Sequence, residues 1–354
     1  MQTTLLGLNT TELRALAQHE GAPAYRGTQI AEWLYRRGAR TLEEMASLPG
    51  ELRARLESTY EVGRSSIVTE QISKDGTVKL LLSLHDGERI EAVGLPYADR
   101  VSCCVSTQVG CPIGCVFCAT GQSGFTRSLE AGEIVDQVLT VQDVLHGLPS
   151  TTRSNGARIN HVTFMGMGEP LLNYEETLKA VRLLNGELSI AMRHLTISTV
   201  GIVPGIVRLA EERLQLTLAI SLHAPTDDLR RKLIPGSSRW TLGELMYACR
   251  DYVQQTGRRV TFEYCLMDGV NDGLDEAKVL AELLKGMNCH VNLIPGNPVP
   301  GLNVRKSSPQ QLQDFRDILE GAGIQVTQRV QRGSDIDAAC GQLRRRINAP
   351  GTQD

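Results

Sequence analysis

The chain has 354 residues, which is enough to bury one large core and to carry a second, smaller domain. Nine cysteines, an odd number, and the lack of an apolar signal segment argue against a secreted disulfide scaffold. No stretch reaches the roughly 18 apolar residues of a membrane span. The net charge of -3 excludes a global basic field. We therefore expect a cytoplasmic protein whose cysteines serve metal binding or redox chemistry.

The first 96 residues are predicted to form a small accessory domain. Residues 1–60 have the pattern of short helices, and Asn9 followed by Glu12 predicts a capping box at the start of one of them. Residues 65–97 alternate apolar and polar side chains and contain two Asp-Gly dipeptides, which favour tight hairpin turns. The sequence therefore predicts helices followed by a β-meander.

From residue 97 to 334, apolar strands alternate with amphipathic helices. This pattern predicts an α/β fold, a six-stranded (β/α)6 partial barrel, followed by a separate C-terminal segment at 335–354. Ligands in such folds bind at the carboxyl ends of the strands. The six predicted strands are 101–107, 161–166, 194–200, 216–223, 260–266 and 290–295.

The first predicted strand leads into the segment CPIGCVFC, which places Cys111, Cys115 and Cys118 in one loop. Three thiolates do not complete a four-coordinate structural zinc site, and no histidine lies in the loop to act as the fourth ligand. On a 4Fe-4S cluster, three cysteines leave one iron open for a small molecule. A cluster is therefore favoured, while zinc or a set of buried thiols stays an alternative.

The spacing C-x3-C-x2-C, with Phe117 before the last cysteine, resembles the radical S-adenosylmethionine (SAM) superfamily. Within that superfamily the chain resembles the RlmN/Cfr methyltransferases over nearly its whole length, and RlmN most. The matching segments are CVSTQVGCPIGCVFCATGQSGF (104–125), GMGEPLLN (166–173), STVGIVP (198–204), SLHAP (221–225), NLIPGNPVPG (292–301) and DIDAACGQL (335–343).

The resemblance implies that SAM binds to the open iron and to residues that follow the strands. Gly168 would let the backbone approach the methionine amine, and Glu169 would accept hydrogen bonds from that cation. In STVGIVP either Ser198 or Thr199 could make the contact, and Ser198 is our choice. The predicted SAM-binding residues are Gly168, Glu169, Ser198, Ser221, Leu222, His223 and Asn297.

The resemblance also implies three catalytic residues. Cys340 matches the cysteine that is methylated on sulfur and carries the methyl carbon to RNA. Cys104 matches the second cysteine, which resolves the protein-RNA adduct through a transient disulfide with Cys340. Glu91 matches the proposed proton acceptor. The remaining cysteines are expected to be structural: Cys103, Cys249, Cys265 and Cys289.

By the same resemblance, the reaction consumes two SAM molecules per turnover and methylates carbon 2 of adenosine 2503 in 23S rRNA and of adenosine 37 in tRNA. An electron donor such as flavodoxin or ferredoxin would reduce the cluster, and we expect a monomer. Two alternatives remain: Cfr-like methylation of carbon 8, which uses the same cysteines, and a non-catalytic iron-sulfur RNA-binding scaffold. A scaffold has no use for Cys104 and Cys340, which argues against it.

The resemblance also implies that the accessory domain, residues 1–96, contacts RNA. Such contact must come from local basic clusters, because the whole chain is weakly acidic. Each cluster could equally be a solvated helix face. The candidate clusters are Arg36, Arg37 and Arg40; Arg230, Arg231 and Lys232; Arg329 and Arg332; and Arg344, Arg345 and Arg346.

Overall fold

The structure is a computed structural model, and the residues that it describes are 2–148, 158–296, 305–329, 332–333 and 335–336. Asn297, Cys340 and the arginines at 344–346 lie outside these residues. Within the described part of the chain, no helix has the length and the apolar character needed to cross a membrane.

The N-terminal module consists of short helices, as the sequence predicts. The capping box at the start of the first helix is confirmed, since the Glu12 amide donates to Asn9 Oδ1 at 2.9 Å and the Asn9 amide donates to Glu12 Oε2 at 2.7 Å. The module's elements are β1 (Thr3–Thr4), α1 (Thr10–His19), α2 (Tyr25–Tyr35), α3 (Gly50–Thr59) and β2 (Tyr60–Glu61).

The β-meander follows as β3 (Ser66–Ile72), β4 (Val78–Ser83) and β5 (Arg89–Pro96), all antiparallel. Gly76 and Gly87 have φ of 84° and 82°, as the turns of the two Asp-Gly dipeptides require. The meander is not a separate layer, because β5 pairs with the first strand of the core sheet. The domain boundary that we place at residue 96 thus falls inside one continuous sheet, and it stays a prediction.

All six core strands predicted from the sequence are present. The core elements in chain order are β6 (Val101–Cys104), β7 (Gln108–Gly110), β8 (Phe125–Ser128), α4 (Ala131–Gly147), β9 (His161–Phe164), α5 (Tyr174–Gly186), β10 (Leu195–Thr199), α6 (Val203–Glu211), β11 (Thr217–Ser221), α7 (Asp227–Leu233), α8 (Leu242–Thr256), β12 (Val260–Leu266), α9 (Leu274–Leu284), β13 (Cys289–Pro295), α10 (Pro309–Gly321) and β14 (Gln325–Gln328).

The described residues build one large sheet in the order β14-β13-β12-β11-β10-β9-β6-β5-β4-β3. Pairing is parallel from β6 to β14 and antiparallel from β3 to β6. Its edge strands, β3 and β14, each pair with one neighbour in the described part, so the sheet is open, as in a partial barrel. β14 is a seventh parallel strand that the sequence did not predict, because three of its four residues are exposed.

The two faces of the parallel sheet differ in chemistry. Leu195 and Ile197 of β10 belong to the hydrophobic core, with at most 1% of their surface exposed. Thr196 and Ser198 alternate with them and therefore point to the opposite, inner face of the sheet. The polar residues that precede the strand ends thus collect on the inner face.

Candidate active site

The inner face of the sheet carries a continuous row of polar side chains. Residues paired in register lie on the same face of a sheet. Cys104 pairs with Thr163, Ser221 with Glu263, and Glu263 with Asn292. We call this surface the inner polar face; its members include Cys104, Thr163, Ser198, Ser221, Glu263 and Asn292.

The loop after β7 holds the three cysteines of the predicted cluster site through its backbone. The Cys111 amide donates to the Gly124 carbonyl at 2.8 Å, and the Cys118 amide donates to the Cys115 carbonyl at 3.2 Å. Gly110 has φ of 82°, and a Cβ there would lie 2.0 Å from the Gly124 carbonyl oxygen. Only glycine fits this close approach between β7 and β8, which fixes the start of the loop.

The three thiols lie close enough to affect one another's charge. Burial first, and then the charges of Glu169 and Cys118, raise the pKa of Cys111 to about 12. Burial also raises the pKa of Cys115 well above its usual range, and Cys118 and Cys111 add to the effect. A bound cation would reverse this by stabilising the thiolates. The loop therefore suits an electropositive centre.

The donor set fits a cluster better than a single ion. The loop presents three cysteine thiols and has no histidine to complete a four-coordinate site. On a 4Fe-4S cluster, three thiolates leave one iron open for a small molecule. The three cysteines therefore fit the iron-sulfur group.

Gly168 lies where β7 and the loop after β9 approach each other. Its φ is 107°, and a Cβ there would be 2.7 Å from both Gln108 Cβ and Thr107 Oγ1. The Glu169 amide donates to Gln108 Oε1 at 2.9 Å. Any side chain at residue 168 would push these segments apart. The tight turn thus holds Glu169 next to β7.

Glu169 is a buried carboxylate held by two backbone amides. Leu171 N–H donates to its Oε1 at 3.0 Å and Val200 N–H donates to its Oε2 at 2.8 Å. Burial raises the pKa of Glu169 to about 7, although both hydrogen bonds lower it. Its charge in turn raises the pKa of Cys111, which places it beside the cluster loop. The Thr199 side chain hydrogen-bonds the carboxylate as well, which leaves one of its roughly four lone pairs for a cationic donor.

The hydroxyl groups at the ends of β10 and β11 have different roles. Thr199 Oγ1 accepts hydrogen bonds from the amides of Gly201 and Ile202 at 3.0 and 3.3 Å, so it shapes the turn after β10. Ser198 Oγ lies 3.4 Å from Ser221 Oγ on the inner polar face. This geometry supports Ser198 over Thr199 as the ligand contact, which stays a prediction.

His223 is buried and has an unusual backbone, with φ of 57°. Its Nδ1 accepts a hydrogen bond from the Cys265 amide at 2.9 Å, so in the neutral ring Nε2 carries the proton. Burial, and to a smaller extent the charge of Arg230, lower the pKa of His223 to about 3. The ring meets Phe117 of the cluster loop edge to face, with centroids 4.9 Å apart. His223 is therefore a neutral donor beside that loop.

Leu222, predicted with these residues, has a fully buried side chain. Its amide donates to the Glu263 carbonyl at 3.0 Å, and its carbonyl accepts from Arg230 Nε at 3.3 Å. Both of its backbone groups thus have protein partners. Its predicted contact with SAM rests on the family resemblance.

Glu91 is a buried carboxylate and not the solvated side chain common on strands. It is 2% exposed, and its Oε2 lies 2.9 Å from Nζ of Lys79, which is fully buried. Lys79 was not among the site residues predicted from the sequence. A charged residue within the apolar strand VKLLLS was the available signal, since such a residue is seldom fully buried without a partner.

Cys104 lies on the same face as this ion pair. Lys79 pairs with Val93 and Val93 with Cys104, while Glu91 is two residues from Val93 on its strand. Burial raises the pKa of the Cys104 thiol, whereas a hydrogen bond with Thr163 and the charges of Arg329 and Lys79 lower it. The thiol and the Glu91 carboxylate therefore share one inner surface.

Three of the four cysteines that are expected to be structural are buried. Cys103, Cys249 and Cys289 are buried in the hydrophobic core, and Cys103 faces away from Cys104. Cys265 is partly exposed. Its pKa is raised to about 12, mainly by burial and to a smaller extent by Cys118 of the cluster loop. It therefore lies near the cluster loop.

One of the predicted basic clusters is wrong in part. Arg230 is 2% exposed, so it does not belong to an RNA-binding surface with Arg231 and Lys232. Arg332 donates to the Pro96 carbonyl at 2.9 Å and lies over the Tyr97 ring. The expected roles of Asn297, of Cys340 and of Arg344, Arg345 and Arg346 fall on residues outside the described ones.

Comparison with known proteins gives two family matches. Residues 105–284, which contain the cluster loop and the core strands β9 to β12, match the Radical SAM superfamily. Residues 3–62 match the ribosomal RNA large subunit methyltransferase N-terminal domain. The two matches correspond to the core and to the helical module.

Relatives match over nearly the full length. A protein of Thermosynechococcus vestitus described as a probable dual-specificity RNA methyltransferase RlmN is 50% identical over 340 residues, covering 96% of this chain and 98% of the relative. One of the same description from Pelotomaculum thermopropionicum is 49% identical, covering 97% and 92%. The crystal structure of a radical SAM methyltransferase from Sphaerobacter thermophilus has 46% identity and a TM-score of 0.91, covering 96% of this chain and 98% of that one. The chain therefore belongs to the RlmN family of radical SAM methyltransferases.

Proposed function

We propose that this chain methylates carbon 2 of an adenosine in 23S rRNA and of an adenosine beside the anticodon of tRNA. The observation that carries the proposal is the common surface of Cys104 and the Lys79–Glu91 pair, because it brings a thiol and a base together where the family's reaction needs both. The relatives described as dual-specificity RNA methyltransferases support both substrates.

Cofactor binding is assigned to the residues around the cluster loop. Cys111, Cys115 and Cys118 would hold the 4Fe-4S cluster, and the SAM contacts would come from Gly168, Glu169, Ser198, Ser221, Leu222, His223 and Asn297. When bound, the cluster and SAM supply the radical that removes a hydrogen atom from a methyl group on the protein. Glu169 would bind the methionine amine, and neutral His223 would donate a hydrogen bond without adding positive charge.

Cys340 would carry that methyl group on its sulfur and deliver its carbon to the adenine ring. Carbon 2 of adenine is electron-poor, so it cannot attack a sulfonium methyl as an ordinary nucleophile. Glu91 would then accept the proton from the ring carbon, and the unpaired electron left on the adduct would return to the oxidised cluster. Lys79 holds Glu91 at 2.9 Å, which keeps the carboxylate oriented and compensates its charge inside the sheet.

Cys104 would release the product by thiol chemistry. Its thiolate attacks the sulfur of Cys340, so that an S–S bond forms and the bond from that sulfur to the transferred carbon breaks. The electron pair goes to the carbon, which takes up a proton and becomes the methyl group. Burial raises the pKa of Cys104, and the charges of Arg329 and Lys79 offset part of that rise, which favours the attacking thiolate.

The test is the fate of RNA on two neighbouring cysteine variants. Cys104→Ala should be methylated on Cys340 and attack RNA, yet it should retain the RNA covalently through denaturation until nuclease removes it. Cys103→Ala is the matched control, because Cys103 lies in the hydrophobic core and should yield no such conjugate. A methylated Cys104→Ala protein that purifies free of RNA would contradict the resolving role.

Regiochemistry separates this proposal from Cfr-like methylation of carbon 8. The match of residues 3–62 to the ribosomal RNA methyltransferase N-terminal domain supports the RlmN branch. We also infer that a flavodoxin or ferredoxin reduces the cluster, that the chain acts as a monomer, and that it acts in the cytoplasm, where its RNA substrates are found.

A further inference from the structure

Arg230 is a buried cation in the short helix α7. It is 2% exposed, although its neighbours Arg231 and Lys232 are exposed. Its guanidinium donates to the carbonyls of Val200 and Leu222, which follow β10 and β11. Among the described residues, no carboxylate forms an ion pair with Arg230. The nearby carboxylate of Asp227 affects the pKa of Arg230 through its charge, without a hydrogen bond to the guanidinium. Asp227 itself accepts a hydrogen bond from the Leu242 amide.

The burial of this charge is costly. Burial lowers the pKa of Arg230 to about 10, and Cys115 lies close enough for a charge there to act on the guanidinium. A buried cation held only by carbonyl oxygens lacks the anionic partner that usually compensates such a group. A negatively charged group bound at the loop of Cys115 would be such a partner.

Helix α7 is also attached directly to the cluster loop. The Val116 amide donates to the Leu233 carbonyl at 3.0 Å, and the Gly236 amide donates to the Ile113 carbonyl at 3.0 Å. A Cβ at Gly236 would lie 2.8 Å from the Ile113 carbonyl oxygen, so the two segments are in close contact. Arg230 is thus held at a fixed position relative to the loop.

We propose that Arg230 is a positioning residue for the cluster's charge: its buried guanidinium makes the bound 4Fe-4S cluster easier to reduce. The inference rests on the proposed cluster site. Reduction adds one electron to a centre that already carries the negative charge of three thiolates. A fixed cation stabilises that added charge, and it does so more strongly inside the protein than at the surface, because the effective dielectric constant is lower there.

The experiment is an anaerobic redox titration of the reconstituted full chain with mediators, in which electron paramagnetic resonance measures the reduced cluster. At the potential where the wild-type cluster is half reduced, Arg230→Met should have a ratio of reduced to oxidised cluster at least tenfold lower, which equals about 59 mV for one electron. Arg230→Lys, which keeps the charge, should stay within threefold of wild type. Equal ratios in Arg230→Met and wild type would overturn the inference.

Arg231→Met is the matched control for removing a charge. Arg231 is adjacent in sequence, its side chain is 57% exposed, and it pairs with Asp228 at the surface. Its loss should leave the ratio within twofold of wild type, because solvent screens the charge. If the role of Arg230 were purely structural, Arg230→Met would change the cluster content or the stability of the protein, but the reduction potential would not fall in Arg230→Met while staying near wild type in Arg230→Lys and Arg231→Met.

A second pair of variants decides the matter if Arg230→Met fails to fold or to assemble the cluster. Asp227→Asn removes the carboxylate that acts on Arg230 while keeping an acceptor for Leu242 N–H, so it should raise the ratio about twofold. Asp228→Asn, on the exposed side of α7, should leave the ratio of reduced to oxidised cluster unchanged. Equal ratios in the two variants would overturn the inference. A wild-type chain that assembles no cluster would instead contradict the proposed cluster site.

Discussion

Replacing Lys79 by methionine tests how the buried pair with Glu91 holds the inner polar face. Lys79 is fully buried and Glu91 is 2% exposed, with 2.9 Å between Nζ and Oε2. Methionine fills much of the same volume but carries no charge, so Glu91 loses its cation in a region that water does not reach. Breaking a buried ion pair in this way costs about 3–5 kcal/mol of the free energy of unfolding.

Urea unfolding of the full chain, followed by circular dichroism, measures this cost. The double variant Lys79→Met/Glu91→Leu should recover most of the loss, because apolar residues of similar volume can replace a buried pair at little cost. Lys278→Met is the matched control: Lys278 forms an exposed pair with Asp275 at 2.9 Å, and such pairs contribute about 0–1 kcal/mol.

Two outcomes would refute this reasoning. A Lys79→Met variant that unfolds within about 1 kcal/mol of wild type would show that the pair is not buried as described. A double variant that loses the full sum of the two single variants would show that Lys79 and Glu91 do not interact.

Three further outcomes are expected. Cys115→Ala should lose the brown 4Fe-4S absorbance and all turnover, and full iron content with turnover would contradict the assignment. Gly168→Ala should lower the free energy of unfolding more than the control Gly286→Ala does. Gly286 also has a positive φ, 73°, but a Cβ added there would have no atom within 4 Å. Equal losses of the two variants in urea unfolding would contradict the close approach at Gly168. Because the pKa of His223 falls from 6.5 unfolded to about 3 folded, its stabilising effect is complete above pH 6.5 and is lost as the pH falls toward 3. Between pH 7.5 and 5 wild type should therefore lose about 2 kcal/mol more than His223→Asn, and parallel urea-unfolding profiles would contradict this.

Most of the fold was predictable from local patterns. The six core strands are short apolar runs bounded by turn residues, and each was found within a few residues of its observed position. β14 was missed because an edge strand with one buried residue has no apolar run. The pairing of β5 with β6 was missed as well, since strand pairing between neighbouring segments does not depend on a local periodicity.

The site was predictable where the signal is a spacing or a motif. Cys111, Cys115 and Cys118 follow from one loop, whereas the environment of Glu91 depends on Lys79 of another strand. Arg230 was misinterpreted because DDLRRKL has the composition of a solvated helix. Its position three residues before the buried Leu233 was the signal of a shared buried face.

The origin of the methyl hydrogens in the RNA product tests the central claim most directly. The reduced, reconstituted chain is supplied with RNA and with SAM whose methyl group carries three deuterium atoms, and mass spectrometry then maps the digested nucleosides. If the methyl group passes through Cys340 and loses one hydrogen atom there, the product is 2-methyladenosine with two deuterium atoms, and the third appears in 5′-deoxyadenosine. A product that keeps all three deuterium atoms, or a methyl group on carbon 8, would contradict the account.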